Sequence, residues 1–477
     1  MAVRRNGQRV FTKNDLRGRA RGIAFGYANL RCAGGMLCSR CLLLRSNPED
    51  AAQGSHPASP LKGWRCGGTV SEFSQKTTFV VGLAGFEPTA SCPPGKRATR
   101  LRHSPLRERT GKQAVDSRVG KYGKSWDVGA VKRIKTAIVG ASGYTGMELL
   151  RILLTHPGVE LVAVTSRTEA GKRIDHVFPR FAKATGAELA FSEPNADAIA
   201  ATGAEVAFLA LPHGIAAEIA RALLERGLKV IDLSADFRLR CPAVYEEFYG
   251  HPHPAPDLLE KAVYGLPEIR AAEIKAATLI ASPGCYPTSI LLPLLPLIRE
   301  KLIDPATLVA NSMSGVSGAG RKADLSLLFC ECNESARAYG VPKHRHLSEI
   351  EQELSLSAGE TVVISFLPHL IPVNSGIATT TTAKLRKGVD PEHIGKALTS
   401  AYADARFVRL LGRGKAADTK MVTGTNFIDI GWEHDPRTDR VILMSAEDNL
   451  GKGAGGQAVQ SFNLMYGLNE ATGLGLW

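Results

Sequence analysis

The sequence predicts an α/β protein: a Rossmann-type dinucleotide-binding domain followed by a second, α+β domain with a larger antiparallel sheet of its own. Three observations predict it. Strand and helix patterns alternate from Ile134 to Leu233, a glycine turn joins the first strand to the first helix, and after Cys285 β-rich segments follow one another with few helices between them. Alternation of this kind implies a parallel sheet with crossover helices, whereas the later pattern suits an α+β unit.

The first strand, Ile134–Val139, runs into Gly140-Ala141-Ser142-Gly143-Tyr144-Thr145-Gly146, and a helical pattern then extends to Thr155. Glycines here let the backbone approach a pyrophosphate while the helix N-terminus faces its negative charge. Gly140, Ser142, Gly143, Tyr144, Thr145 and Gly146 are therefore candidate dinucleotide contacts, in the spacing Gly-x-x-Gly-x-x-Gly. The next strand, Leu161–Thr165, ends in Ser166-Arg167-Thr168, where NAD sites usually place an acid for the ribose 2′-hydroxyl. An arginine between two hydroxyls suits a 2′-phosphate instead, so Ser166 and Arg167 predict NADP(H). A strand at Val206–Leu209 leads into Leu211-Pro212-His213-Gly214 at the sheet's carboxyl edge, where such folds bind ligands. Pro212, His213 and Gly214 are expected on the nicotinamide side, with His213 either chemical or structural. A helix at Ile215–Arg226 and a strand at Lys229–Leu233 complete the alternation.

Cys285 lies in Ser282-Pro283-Gly284-Cys285-Tyr286-Pro287-Thr288, between a short apolar strand pattern and the apolar stretch Ser289–Ile298. Unpaired N–H groups in a helix's first turn favour negative charge, so a thiol there is expected to ionise and act as a nucleophile; an inert buried cysteine is the alternative. A proton-transfer partner is available in His344-Arg345-His346, just before the helical pattern Glu351–Leu354. These histidines, with His251 and His253, lack a suitably spaced carboxylate or cysteine to complete a metal site, so no metal is predicted.

Strands are expected at Thr307–Ser312, Thr361–Leu367, Gly376–Lys384, Asn426–Trp432 and Val441–Ala446. A glycine-rich turn, Asp448–Gly456, then opens a helix at Gln457–Tyr466 that is expected to return to the cofactor domain. The expected division is a leader at 1–130, a dinucleotide-binding domain at 131–284, a catalytic domain at 285–447 and a returning segment at 448–477.

Residues 1–130 carry 23 Lys and Arg against 8 Asp and Glu, a net of +15, which leaves 36 against 38, or −2, for the rest of the chain. A basic, weakly patterned leader reads as disordered or as a nucleic-acid arm. A third explanation accounts for more. Gly85-Phe86-Glu87-Pro88-Thr89-Ala90-Ser91-Cys92 resembles a translated transfer-RNA gene, because codons for its first four residues can contain a T-loop flanked by complementary stem bases. The leader is thus expected to be spurious translation, with Val128 or Val131 as natural starts, and no nucleic-acid partner is predicted. Cys32, Cys38 and Cys41 complete no paired zinc spacing. The most apolar run, Ile290–Ile298, is far shorter than the roughly 20 residues a bilayer needs and holds Pro293 and Pro296, so no membrane partner and a cytoplasmic location are expected.

The motifs together resemble the N-acetyl-γ-glutamyl-phosphate reductase family, within the aspartate-semialdehyde dehydrogenase-like superfamily. Besides the runs around Gly140, Pro212 and Cys285, the resemblance rests on Asp232-Leu233-Ser234-Ala235-Asp236-Phe237-Arg238, Tyr264-Gly265-Leu266-Pro267-Glu268, Ser314-Gly315-Val316-Ser317-Gly318-Ala319-Gly320-Arg321, His344-Arg345-His346 and Phe366-Leu367-Pro368-His369-Leu370. It covers about Val131 to Trp477 and none of the leader. It implies an oxidoreductase of arginine biosynthesis that uses NADP(H), acts on a small acyl phosphate, assembles as a homo-oligomer and builds its second domain for catalysis and dimerisation. It further implies that Cys285 accepts the acyl group and that His346, or else His344, is the acid/base. Ser317, Gly318 and Asn449 would add cofactor contacts. Arg238 and Arg321 are candidate ligands for the phosphate or the substrate carboxylate, or surface ion pairs. Related reductases of aspartyl phosphate or of a carrier-bound aminoadipyl phosphate share this logic, whereas a non-catalytic NADP sensor would need a lost nucleophile or base.

Overall fold

Two seven-stranded sheets organise the protein, whose structure, a computed structural model, describes residues 133–475. Expectations about the leader lie outside the described residues.

The first sheet contains β1 Ile134–Val139, β2 Val159–Thr165, β3 Phe191–Ser192, β4 Val206–Leu209, β5 Lys229–Asp232, β6 Ala262–Tyr264 and β7 Leu279–Ala281. Its order is β3-β2-β1-β4-β5-β7-β6, and every pairing is parallel. All four residues of β4 are buried, as expected of a strand covered by helices on both faces. The order runs outward in opposite directions from β1 and β4, so the crevice at their carboxyl ends is the natural ligand site of such a sheet. β7 ends four residues before Cys285, which places the thiol at the same edge of the sheet.

The second sheet contains β8 Val309–Ser314, β9 Arg337–Ala338, β10 Ser365–Leu370, β11 Ile377–Lys384, β12 Val408–Arg413, β13 Ile428–Asp435 and β14 Arg440–Glu447. It is mixed and equal in strand number to the first, a departure from the expected larger antiparallel sheet. β8 pairs with β10, and β12 with β13, in parallel. Parallel neighbours need crossover connections, and the helix His346–Ala358 lies in the one between β8 and β10.

The helix Cys285–Arg299 contributes Leu291, Leu292, Leu294 and Leu295 to the core beneath the second sheet, beside Ile350 and Leu354. It also holds two interior prolines, each of which would ordinarily cost about 3 kcal/mol by removing a hydrogen bond and crowding the preceding turn. The carbonyls thereby orphaned belong to the residues four positions earlier. Ser445 Oγ donates to the Ser289 carbonyl at 2.7 Å, and the Tyr402 hydroxyl donates to that of Leu292. Side chains from the sheet and a neighbouring helix thus supply what Pro293 and Pro296 withhold. After β14, one π-helical turn, Gly451–Gly455, leads into the helix Gly456–Met465. That helix packs on the first sheet's core, with Phe462 against Phe208 at 5.7 Å between ring centroids. Among the described residues, no helix is long and apolar enough to cross a membrane.

Candidate active site

The turn after β1 forms one wall of a cleft of about 430 Å³. Gly140 has φ +87°, and a Cβ there would meet the Ala210 carbonyl oxygen at 2.4 Å, so only glycine fits. A Cβ on Gly146 would meet the Gly140 carbonyl oxygen at 2.5 Å, which explains the close seating of the helix Tyr144–Leu153 on the turn. Gly143 differs, because its Cβ would find nothing closer than 3.9 Å. It is the N-cap of that helix, no side chain caps it, and no acid stands in the first turn. Free N–H groups and the positive end of the helix dipole there fit a pyrophosphate.

Nine of the expected cofactor residues line this cleft: Gly140, Ser142, Gly143, Tyr144, Thr145, Gly146, Ser166, Arg167 and Pro212. At its rim the hydroxyls of Ser142 and Ser166 lie 2.8 Å apart, and Ser166 reaches Thr168 at 3.3 Å. The other five expected contacts lie elsewhere. His213 receives an Arg345 N–H at 3.0 Å and stacks on His251, while the Gly214 N–H donates to Asp236 at 2.7 Å. Asp236 also accepts from the Ala217 N–H, so it caps the helix that follows and holds the loop whose Leu211, Pro212 and Ile215 line the cleft. Gly318 lines the thiol cavity, and Asn449 Nδ2 donates to Ser317 at 2.9 Å, which groups Ser317, Gly318 and Asn449 around the β8 end of the second sheet.

Cys285, His344 and His346 line a second cavity of about 440 Å³, together with Tyr286, Tyr339, Lys322, Arg337 and Arg345. Cys285 is the first residue of its helix, and Gly284 caps it. The expectation of a readily ionised thiol is corrected here. Burial first, and then the Glu447 carboxyl, push Cys285 up to about 12, against the opposing pull of Arg238 and the Tyr286 N–H. Desolvation outweighs the helix terminus at this thiol.

His346 opens the helix His346–Ala358, and Glu349 stands one turn later. Glu349 accepts from the Gly284 N–H at 2.8 Å and the Tyr264 hydroxyl at 2.8 Å, and it pairs with Arg238 at 3.3 Å. Burial raises the Glu349 carboxyl, while Arg238 and the two hydrogen-bond donors oppose the shift. One carboxylate therefore ties the N-cap of the Cys285 helix to the His346 helix. Space is tight, since a Cβ on Gly284 would meet His346 Nε2 at 2.7 Å.

Arg238 Nη1 lies 3.4 Å from His346 Nε2. A guanidinium can only donate, so Nε2 presents its lone pair and the neutral ring carries its proton on Nδ1. Nδ1 is buried without a hydrogen-bond partner. Burial, then His344 and Arg238, hold the His346 value well below the usual histidine range. Burial, then Arg345, brings His344 down to about 4. His344 accepts from the His346 N–H at 3.1 Å, which makes it a support for its neighbour.

The two arginines expected to bind substrate anions have other positions. Arg238 is buried and gives its remaining donors to the Ser282 and Leu233 carbonyls, both at 2.9 Å. Arg321 lines the dinucleotide cleft, where it donates to the Ser142 carbonyl at 3.1 Å. The cations at the thiol cavity are Lys322 and Arg337, which form no local motif, and Arg345, which the sequence showed only as the residue between His344 and His346, with no role assigned to it. Glu349 carried a usable signal: it stands three residues after His346, on the same helical face.

Two family models match this chain. The one described as semialdehyde dehydrogenase, NAD binding domain, matches residues 135–277, and the one described as semialdehyde dehydrogenase, dimerisation domain, matches 285–449. The N-acetyl-γ-glutamyl-phosphate reductase of Akkermansia muciniphila is 67% identical over 344 residues, covering 72% of this chain and 99% of the relative. That of Syntrophobacter fumaroxidans is 50% identical over 341 residues, covering 72% and 98%. Among solved structures, an aspartate semialdehyde dehydrogenase II from Vibrio cholerae has a TM-score of 0.54 at 17% identity, over 70% of this chain and 98% of its own. At that identity the likeness speaks to fold alone.

Proposed function

The chain belongs to the N-acetyl-γ-glutamyl-phosphate reductase family, and from that premise we propose that it reduces N-acetyl-L-glutamyl 5-phosphate to N-acetyl-L-glutamate 5-semialdehyde, with NADPH as donor and a thioester on Cys285. The observation that carries the mechanism is the convergence of Cys285 and His346 on one cavity at the sheet's carboxyl edge. Cys285 sulfur attacks the acyl-phosphate carbonyl, its proton passes to His346, and the acyl–oxygen bond breaks to release phosphate and leave the thioester. Lys322, Arg337 and Arg345 hold the substrate's phosphate and carboxylate, and the backbone N–H groups opening the Cys285 helix support the developing oxyanion.

The glycine turn Gly140–Gly146, with Ser166 and Arg167, would hold a nicotinamide cofactor, which would supply the hydride that the acyl carbon takes up. The resulting hemithioacetal then collapses to aldehyde, and Cys285 leaves as thiolate to regain a proton from His346. Arg167 and Ser166 line this cleft after β2, and an arginine there in place of an acid supports NADPH over NADH. The dimerisation-domain match supports a homo-oligomer. The test is purified-protein turnover with N-acetylglutamyl, aspartyl and carrier-bound aminoadipyl phosphates, each with NADPH and NADH. Preference for the first substrate with NADPH is expected. Preference for either other acyl phosphate would overturn the substrate, and preference for NADH would overturn the cofactor.

A further inference from the structure

Glu447, the last residue of β14, is fully buried, and neither carboxyl oxygen has a hydrogen-bond partner. Its cross-strand neighbours are Ile377 on β11 and Ile428 on β13, both fully buried. A side chain built on Gly453 would meet Cys285 Cβ at 2.8 Å and Glu447 Oε1 at 3.0 Å, so carboxyl and nucleophile flank one alpha carbon. Glu447 does not line the thiol cavity, which places it behind the sulfur rather than beside the substrate.

The charged groups facing it are few. Lys452, from the turn after β14, is committed to Glu268 at 2.6 Å and Gln460 at 2.8 Å. Glu268 on the helix Pro267–Ala276 and Asp448 next in the chain add negative charge, and Cys285 is the titratable group on the nucleophile's helix. Around Cys285 itself stand Arg238 and Glu349, and Tyr286, Tyr339, His344, Arg345 and His346 line the same cavity. An unpaired carboxylate in such surroundings is costly, so the group rests as the neutral acid, and burial drives it far above the ordinary carboxylate range. An apolar residue would fill the same space at lower desolvation cost, which leaves the carboxyl to be explained by the sulfur.

We propose that Glu447 is a positioning residue that acts through Cys285: as a neutral acid it permits the thiolate, and on losing its own proton it suppresses thiolate formation, so the two groups share one readily lost proton. The inference rests on Cys285 being the nucleophile, but its test needs no substrate or turnover. Alkylation by iodoacetamide is followed across pH on the full-length protein and read at the Cys285 peptide by mass, because Cys241 and Cys330 are exposed thiols.

Glu447→Gln cannot ionise, so its Cys285 alkylation rate should match the wild type within about twofold near neutral pH and exceed it by about fivefold or more at alkaline pH. A constant ratio across pH would mark a merely structural effect and overturn the proposal. The wild-type profile is a second measurement that survives if the variant fails to fold. Two successive rises separated by a plateau support the shared proton, and a rate following a single ionisation, one rise to one plateau, overturns it.

Discussion

The dinucleotide cleft and the thiol cavity lie along the same edge of one sheet yet are built in opposite ways. The cleft's principal walls follow β1, β2 and β4 directly, and its fit depends on backbone shape, as the 2.4 Å limit at Gly140 illustrates. The cavity draws side chains from the Cys285 helix, the β8 loop and the His346 helix, and it rests on buried charge. A backbone site tolerates water and neighbouring charge, whereas a site built on buried ions depends on each partner. This contrast predicts that damage will spread further in the cavity than in the cleft.

Breaking the Glu349 clamp should have the largest effect. Glu349→Ala leaves Arg238 as an uncompensated buried charge and frees the Gly284 N–H, so stability should fall by about 3–5 kcal/mol. Urea unfolding and residual kcat measure it, and a loss under about 1 kcal/mol would show the pair to be dispensable. Arg167→Asp, at the rim of the cleft, should leave stability nearly intact while moving the NADPH/NADH ratio of kcat/KM toward NADH by about tenfold or more. An unchanged ratio would place the 2′-phosphate elsewhere.

Tyr402→Phe separates folding from chemistry. It strips the Leu292 carbonyl, orphaned by Pro296, of its donor and should cost about 1–2 kcal/mol with KM for both substrates unchanged. An altered KM would couple the nucleophile helix to binding. The smallest effect concerns acid stability. His344 titrates at about 4 in the folded protein, and the unfolded chain takes up that proton first, near 6.5, so stability should fall as pH drops through this window. His344→Phe should flatten part of that acid limb in urea midpoints, with His346, His156, His213 and His253, all lowered by burial, contributing to the remainder.

The same contrast explains what the sequence revealed. Strand, turn and helix around Gly140 lie within twenty residues, and the predicted segments Leu161–Thr165, Val206–Leu209 and Ile215–Arg226 agree with the elements observed to within two residues at each end. Cys285 and His346 were legible as chemical types at loop-to-helix junctions. Their electrostatics were not, because the thiol's state depends on Glu447, and His346 on Arg238, residues more than a hundred positions away. β12 was missed because Val408–Arg413 has only one buried residue, Val408 at its start, and so no alternation of apolar and polar positions to read. Arg238 and Arg321 were read as candidate anion ligands or surface ion pairs; Arg238 is a buried partner of Glu349 and two carbonyls, and Arg321 lines the dinucleotide cleft, positions that nothing local in the sequence distinguishes.

The thioester on Cys285 is the claim on which the account turns, and trapping it is the most direct test. N-acetylglutamyl phosphate is mixed with the protein in the absence of cofactor, quenched in acid and examined by peptide mass. The account predicts release of about one phosphate per active site and an N-acetylglutamyl adduct on the Cys285 peptide, with neither in Cys285→Ser. No adduct on Cys285 in a wild-type protein that turns over with NADPH, or equal phosphate release by Cys285→Ser, would contradict it.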